Sequence, residues 1–281
     1  MQATYEEMLK KGEAAALKYW DPVTPYITDL LPDDAFGICI KLSGGADSSI
    51  IYYRLCEEMV ERGIDLPIYV ATLDTETKPW YSYYAKKVIE FTAERTGVRP
   101  VEHNIAYLPN PWTIPDYGRE QDEIAYKSFR EGKTNVWYGG LTQNPPVEDQ
   151  AQGAMGIPGI KWETYEEVLE GCHDKDFDRD NNDNRWVRDF ELIDGKYPLH
   201  AIHPFVHRDK KYSTAALYEQ CGVTDELLPL TYSCEKHYND EDKVKTDVVM
   251  REDSGITHYE EEHCGQCWFC LERAYAFGRL V

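Results

Sequence analysis

Between residues 43 and 49 the chain reads Ser43-Gly44-Gly45-Ala46-Asp47-Ser48-Ser49, which gathers hydroxyls, a carboxylate and two residues without side chains. Adjacent glycines let a backbone turn sharply and approach a ligand closely, and Asp47, Ser48 or Ser49 can open a following helix as its cap. A helix that begins there points unpaired N–H groups and the positive end of its dipole at whatever lies over the loop, which favours phosphate oxygens. The loop lacks the Gly-Lys-Ser/Thr ending of a Walker loop, so no lysine is placed to reach a γ-phosphate. Such a cradle suits a β,γ-pyrophosphate held as one unit, with the α-phosphorus open to attack and AMP as product.

A second group with chemistry in its spacing lies near the C-terminus. Cys264, Cys267 and Cys270 form two successive C-x-x-C steps, and Cys234 stands upstream in Thr231-Tyr232-Ser233-Cys234. Three thiolates in register plus a distant fourth suit one tetrahedral metal that staples the tail to the body, zinc first among the candidates, while four thiolates also suit an iron–sulfur cluster. His237, His258 and His263 stand nearby, but four sulfurs suffice. His200, His203 and His207 also look clustered, yet they alternate with Ile202 and Phe205 and read as residues on and after a last strand.

These groups need a scaffold, and the flanking sequence supplies one. Residues 36–42 are short, apolar and β-branched, as a buried strand requires. A helix from Asp47 to about Arg62 follows, then a strand over 67–73 that brings Thr72, Asp74, Thr75 and Glu76 to its C-terminal end. That edge of an open α/β sheet is where ligands bind. Asp74 could position Mg²⁺ there, or cap the next helix. That helix covers 80–96 and ends at Gly97. Further strands are expected at 98–105 and 135–138, the latter leading into Gly139-Gly140, with a helix over 120–130 between them. The alternation predicts a doubly wound parallel sheet with right-handed crossovers. Residues 1–20 read as an amphipathic scaffold helix.

Composition then shifts. Residues 143–159 are rich in Pro, Gly and Gln, and 172–195 are crowded with Asp and Asn, so 143–196 reads as an insertion or lid. Asp178, Asp180, Asn182 and Asp189 fall at calcium-loop offsets, but Asp183 occupies the place that needs glycine, which favours a solvated acidic loop. The expected organisation is a nucleotide-binding domain over 1–230 and a metal-binding element over 231–281.

The chain of 281 residues carries a net charge of −21, which disfavours unaided binding to nucleic acid or anionic membranes. No apolar run is long enough to span a membrane, and the first residues carry no signal segment, so the expectation is a soluble cytoplasmic protein. With eight cysteines in such a chain, reduced thiols are expected, with Cys39 and Cys56 as small buried hydrophobes and no evident partner for Cys172 or Cys221.

The loop LSGGADSS resembles the PP-loop of the ATP pyrophosphatases. Together with His203-Pro204-Phe205, Lys210 six residues after that proline, Thr231-x-Ser233-Cys234 and the tail CGQCWFCLERAYAF, it makes the chain resemble the 7-cyano-7-deazaguanine synthases of the queuosine pathway. The resemblance implies a Rossmann-like fold of the adenine-nucleotide α-hydrolase type with a C-terminal four-cysteine zinc subdomain. It implies ATP with Mg²⁺ held by Ser43, Gly44, Gly45, Asp47, Ser48, Ser49, Thr72, Asp74 and Gly139, and catalytic roles for Asp47 and Lys210. Lys210 would face the phosphates, or be a solvated lysine on a helix that starts near Asp209. Zn²⁺ would be held by Cys234, Cys264, Cys267 and Cys270. The implied reaction adenylates a carboxylate and passes it to ammonia or an amine. Where the family carries Tyr-Pro-Asp-Cys-Arg in its base pocket, this chain has Gly140-Leu141-Thr142-Gln143-Asn144-Pro145-Pro146, so the acceptor is a deazapurine carboxylate, another carboxylate, or an amine that receives an activated deazapurine. A homodimer is compatible with the sequence.

Other classes share the cradle. Leu73-Asp74-Thr75 also resembles the nucleotide loop of phosphoadenylyl-sulfate reductases, and sulfur transferases with iron–sulfur clusters, asparagine and NAD synthetases, and a nucleotide-binding adaptor are further alternatives.

Overall fold

The computed structural model describes residues 26–76, 78–109, 114–172, 187–193, 197–205, 208–234, 251–252, 255–256 and 263–280. The expected helix over 1–20, His207, His237, His258 and most of the acidic stretch lie outside the described residues.

β1 (Ile38–Lys41) leads through the glycine loop into α1 (Ala46–Arg62), and β2 (Ile68–Thr75) leads into α2 (Tyr81–Thr96). Both helices stop at glycines in the left-handed region, Gly63 at φ 64° and Gly97 at φ 76°, the second as the sequence predicts. β3 (Glu102–Leu108), α3 (Ile114–Arg130) and β4 (Val136–Tyr138) follow. β3 begins later than the expected 98–105 and α3 begins earlier than 120. Pro115 sits in the first turn of α3, where its missing N–H leaves no helix bond unmade.

Residues 143–171 are not a bare lid. They form α4 (Val147–Ala154) and α5 (Tyr165–Gly171), the latter opened by a capping box between Thr164 and Glu167. The acidic stretch also ends in structure, because β5 (Val187–Ile193) pairs antiparallel with β6 (Tyr197–Ile202). Asp189 takes a ladder position opposite His200, which removes it from any loop of calcium-binding form. After β6 come a π-helical turn (Lys211–Ala215), α6 (Ala216–Gln220) and the tail helix α7 (Trp268–Phe277).

The strand order is β3-β2-β1-β4-β6-β5, parallel except for the edge strand β5. This is the doubly wound α/β sheet expected. Ile38 pairs with Ile68 on one side and Val136 on the other, so chain order reverses about β1. The crevice beyond the C-terminal ends of β1 and β4 is the topological switch point.

The main core, with Ile38, Ile40, Ile50, Leu55, Val70, Val88 and Tyr138, packs α1 and α2 on one sheet face. Cys39, Ala71, Trp137 and Leu199 meet Phe129 of α3 on the other. A separate cluster unites Ala151, Val168, Tyr232, Cys267 and Leu271, so α4 and α5 share their core with the tail. Cys39 and Cys56 are buried, and burial pushes each thiol up to about 12, as inert core thiols require. No described helix is long and apolar enough to cross a membrane.

Glu58 anchors α1 from within. Its carboxylate accepts from the N–H groups of Ile27 (3.0 Å) and Thr28 (2.8 Å), from Thr28 Oγ1 (2.8 Å) and from Arg54 Nε (2.7 Å). Burial raises its pKa, against the pull of Thr28, Ile27 and Arg54. Glu58→Ala leaves Arg54 Nε, the Thr28 hydroxyl and two buried backbone donors without their acceptor, with Glu57 still close to the guanidinium, and should destabilise the fold by about 3 kcal/mol, read from urea unfolding midpoints. A change within 0.5 kcal/mol, the scale of an ordinary surface substitution (~0.5 kcal/mol), would exclude the anchor.

Candidate functional site

The loop after β1 is held by its own side chains. Gly44 adopts φ 72°, and a Cβ there would fall 2.5 Å from the Tyr84 Cβ, so the loop can lie against α2 only with glycine. Gly45, rather than Asp47, Ser48 or Ser49, is the N-cap residue, and no side chain caps the helix. The serines instead shape the turn. Ser43 Oγ accepts from Gly45 N (3.3 Å), Ser48 Oγ accepts from Ser43 N (3.2 Å), and Ser49 Oγ donates to the Gly45 carbonyl (2.7 Å). The N–H groups of Asp47 and Ser48 find no acceptor among the described residues. They remain as donors for an anion over the loop.

Two later segments brace this turn. Tyr232 N donates to the Gly44 carbonyl (2.9 Å), and Ser233 Oγ accepts from Ala46 N (3.4 Å). Gly140 backs the first turn of α1 so closely that a Cβ on it would lie 2.9 Å from Ser48 N. Its neighbour Gly139 bonds instead to the β6 edge, through Ile202 O (3.0 Å) and the His203 ring (3.2 Å).

Asp47 is joined to Lys210. Lys210 Nζ lies 3.0 Å from Asp47 Oδ2 and 2.9 Å from Glu272 Oε2, and Thr214 Oγ1 donates to Asp47 Oδ1. Lys210 is 2% exposed, so it is a buried residue and not a solvated one. Burial lowers its pKa, but Asp47 and Glu272 outweigh burial and hold it above the ordinary lysine value. The ammonium is therefore charged at neutral pH.

Thr72 and Asp74 have local structural partners. Thr72 Oγ1 donates to the Leu42 carbonyl (2.6 Å) and lies 2.9 Å from His103 Nε2. Asp74 accepts from Ser82 N (2.8 Å) and Ser82 Oγ (2.5 Å), which is the helix-cap alternative of the two read from sequence. With both oxygens so engaged, Asp74 is a poor fit for a Mg²⁺ ligand.

The four sulfurs of Cys234, Cys264, Cys267 and Cys270 lie within 4.8 Å of one another. Cys267 Sγ is 3.5 Å from Cys270 Sγ and 3.9 Å from Cys234 Sγ, and Cys264 Sγ is 3.9 Å from Cys270 Sγ. Metal–sulfur bonds of about 2.3 Å in a tetrahedron place sulfurs roughly 3.8 Å apart, so the cluster fits one ion. A cluster of several irons would need the sulfurs farther apart. Backbone N–H groups of Cys264 and Cys267 point at Cys234 Sγ and Cys264 Sγ, each at 3.3 Å, as donors to thiolates should. His263 Nδ1 is 3.8 Å from Cys270 Sγ, and its ring stacks on Tyr232, which stacks on Tyr84. His200 and His203 do not converge on a metal. His200 Nε2 faces Asp34 at 3.4 Å, while His203 meets Trp137 edge-on.

Three site residues escaped the sequence reading. Glu272 lies in an apolar helix beside Arg273, and Gly140 stood next to the glycine chosen. Lys41, a lone charge within an apolar strand, pairs with Asp122 over the Trp137 ring, and burial pulls it down to about 8.

No protein-family model matches the chain, and no curated protein is similar to it in sequence. Solved structures similar in fold include the U34-tRNA thiolase NcsA from Methanococcus maripaludis with its 4Fe-4S cluster, at 15% identity and TM-score 0.41 over 83% of this chain and 70% of that one. FMN adenylyltransferase from Candida glabrata, in complex with FMN and the ATP analog AMPCPP, aligns at 11% identity and TM-score 0.35 over 75% and 58%. NAD⁺ synthetase from Burkholderia pseudomallei aligns at 13% identity and TM-score 0.35 over 81% and 71%. Likeness at this level is too slight to bear on function.

The sulfur geometry carries its own test. Purified protein should contain one metal ion per chain, and Cys267→Ser should release it, since a hydroxyl is a poorer ligand than thiolate. Elemental analysis decides, and four irons per chain with visible absorption would overturn the single-ion site.

Proposed function

We propose that the protein is an ATP-dependent ligase of the PP-loop type, which adenylates a carboxylate with release of pyrophosphate and passes it to ammonia or an amine. The observation that carries this reading is the pairing of open N–H groups at Asp47 and Ser48 with a charged, buried Lys210 beside them. Backbone donors and one fixed cation can hold the β- and γ-phosphates without a Walker lysine. The acceptor oxygen attacks the α-phosphorus, the bond from that phosphorus to the bridging oxygen breaks, and pyrophosphate leaves with the bond electrons. Nitrogen then attacks the acyl carbon, and AMP departs.

Lys210 keeps its position and charge through Asp47 and Glu272, so it needs no rearrangement as charge builds on the leaving group. Ser43 and Ser48 keep the loop in shape. Mg²⁺ would arrive with the nucleotide and neutralise its phosphates, and the residues assigned to it from sequence do not include a suitable free carboxylate at Asp74. Zinc is the ion we assign to the four cysteines, because four thiolates around one centre suit its coordination. Its part is structural: the cysteines fix the segment that carries Tyr232 and Ser233 to the loop. The resemblance to 7-cyano-7-deazaguanine synthases supports a 7-deazapurine carboxylate as acceptor.

Incubation of the protein with Mg-ATP, ammonia and 7-carboxy-7-deazaguanine or other carboxylates should yield AMP and pyrophosphate. Ser43→Ala and Asp47→Asn should each lower the rate by roughly 10²-fold, the scale for losing a preorganised site group, while far-ultraviolet circular dichroism is unchanged. Formation of ADP and phosphate instead would exclude adenylation, and tight Mg-ATP binding without cleavage under any acceptor would make the protein a nucleotide-binding adaptor.

A further inference from the structure

Glu272 enters the reading above only as a counter-ion of Lys210, yet it is 1% exposed and ionised carboxylates are costly to bury. It sits on α7, two residues after the ligand Cys270, with its side chain directed to Lys210 Nζ at 2.9 Å. The neighbouring Arg273 locks the helix in that orientation by donating to Leu280 O (2.7 Å), Leu228 O (2.8 Å) and Thr231 Oγ1 (2.9 Å). The tail thus contributes one of two carboxylates between which the Lys210 ammonium is suspended, and the other, Asp47, belongs to the phosphate loop. An ammonium has three N–H donors. Two are taken by these carboxylates, and the third has no acceptor among the described residues.

We propose that Glu272 is a positioning residue for the reaction: it fixes the Lys210 ammonium so that the third N–H meets the phosphate oxygens over the loop. This rests on the nucleotide reading above. A hydrophobic residue at 272 would fill the space at lower cost in desolvation, but it would leave Lys210 to swing onto Asp47 alone. The carboxylate sets direction as well as charge, since a single counter-ion leaves the ammonium free to rotate about it. Because Glu272 lies on the helix that carries Cys270 and starts at the cap residue Cys267, the tail that would bind metal also holds part of the nucleotide site.

The test compares Glu272→Gln, Glu272→Asp, Lys210→Met and the Lys210→Met/Glu272→Gln double variant in the full-length, metal-loaded protein. With the carboxylate that gives the highest wild-type rate of pyrophosphate release, Glu272→Gln should lower kcat by on the order of 10²-fold, as misplacement of a reacting group does. Its KM for ATP should stay within about threefold, because the lost interaction acts in the transition state. Glu272→Asp, which keeps the charge, should recover part of that loss. Without nucleotide, the double variant should melt higher than the two single shifts summed would place it. Wild-type kcat in Glu272→Gln overturns the proposal. So do equal losses in the Gln and Asp variants with additive melting shifts, which mean packing alone. A wild-type protein that neither binds Mg-ATP nor releases pyrophosphate overturns the nucleotide reading and this inference with it, and that failure is told apart because it appears before any residue is changed.

Discussion

An ammonium group removed from water is stable only where counter-charges meet it, and the Lys210 ammonium is met by Asp47 and Glu272 from two different parts of the chain. This constraint orders the site. Lys210 follows the sheet, on the turn after β6; Asp47 begins the helix after β1; Glu272 lies on the tail helix. None of the three can shift alone, since removing any carboxylate leaves a buried charge less compensated. Thr214 reinforces Asp47 from the same π-helical turn that Lys210 leads into. The wide π turn brings Ser213, Thr214 and Ala215 into buried positions close to the loop helix.

The same tail reaches the loop by a second route. Cys234 is bonded in sequence to Ser233, whose hydroxyl faces the first turn of α1, and Tyr232 is pinned to Gly44 through its N–H. The Tyr232 ring then lies between Tyr84 and His263, and His263 approaches Cys270. A metal held by the cysteines would therefore order the loop through stacked rings and short backbone contacts. α4 and α5 enclose this cluster, which explains why residues 143–171 fold onto the tail. Proline and glycine in that stretch mark the ends of short helices there.

Much of the architecture was legible because each signal was local. Strand, glycine turn and helix succeed one another within the reach of the hydrophobic pattern, and Gly63 and Gly97 end their helices where a left-handed residue is needed. The two C-x-x-C steps announced convergent thiols for the same reason, since the turns between them are short. Boundaries were less legible where the pattern is mixed. β5 carries Arg188, Asp189 and Glu191 among its apolar residues and follows a run of acids, so its strand character came from pairing with β6 and not from composition. The caps were misplaced as well, because any of three polar residues could have opened α1, and the turn used Gly45 while folding the serines inward.

By itself, the sequence determined the alternation of strands and helices, the glycine turn between strand and helix at residues 43–49 and the three closely spaced thiols of the tail, because each depends on residues near one another along the chain. Only the tertiary structure decided whether Lys210 was a surface lysine or a buried cation, and whether Asp74 served a metal or a helix end. Those choices turn on burial and on partners: Asp47, 163 residues before Lys210, and Glu272, 62 residues after it. Glu272 itself reads locally as one more charged residue on a terminal helix. Its meaning comes from the fold, which places a carboxylate of the tail against a lysine of the turn after β6 and leaves both without water.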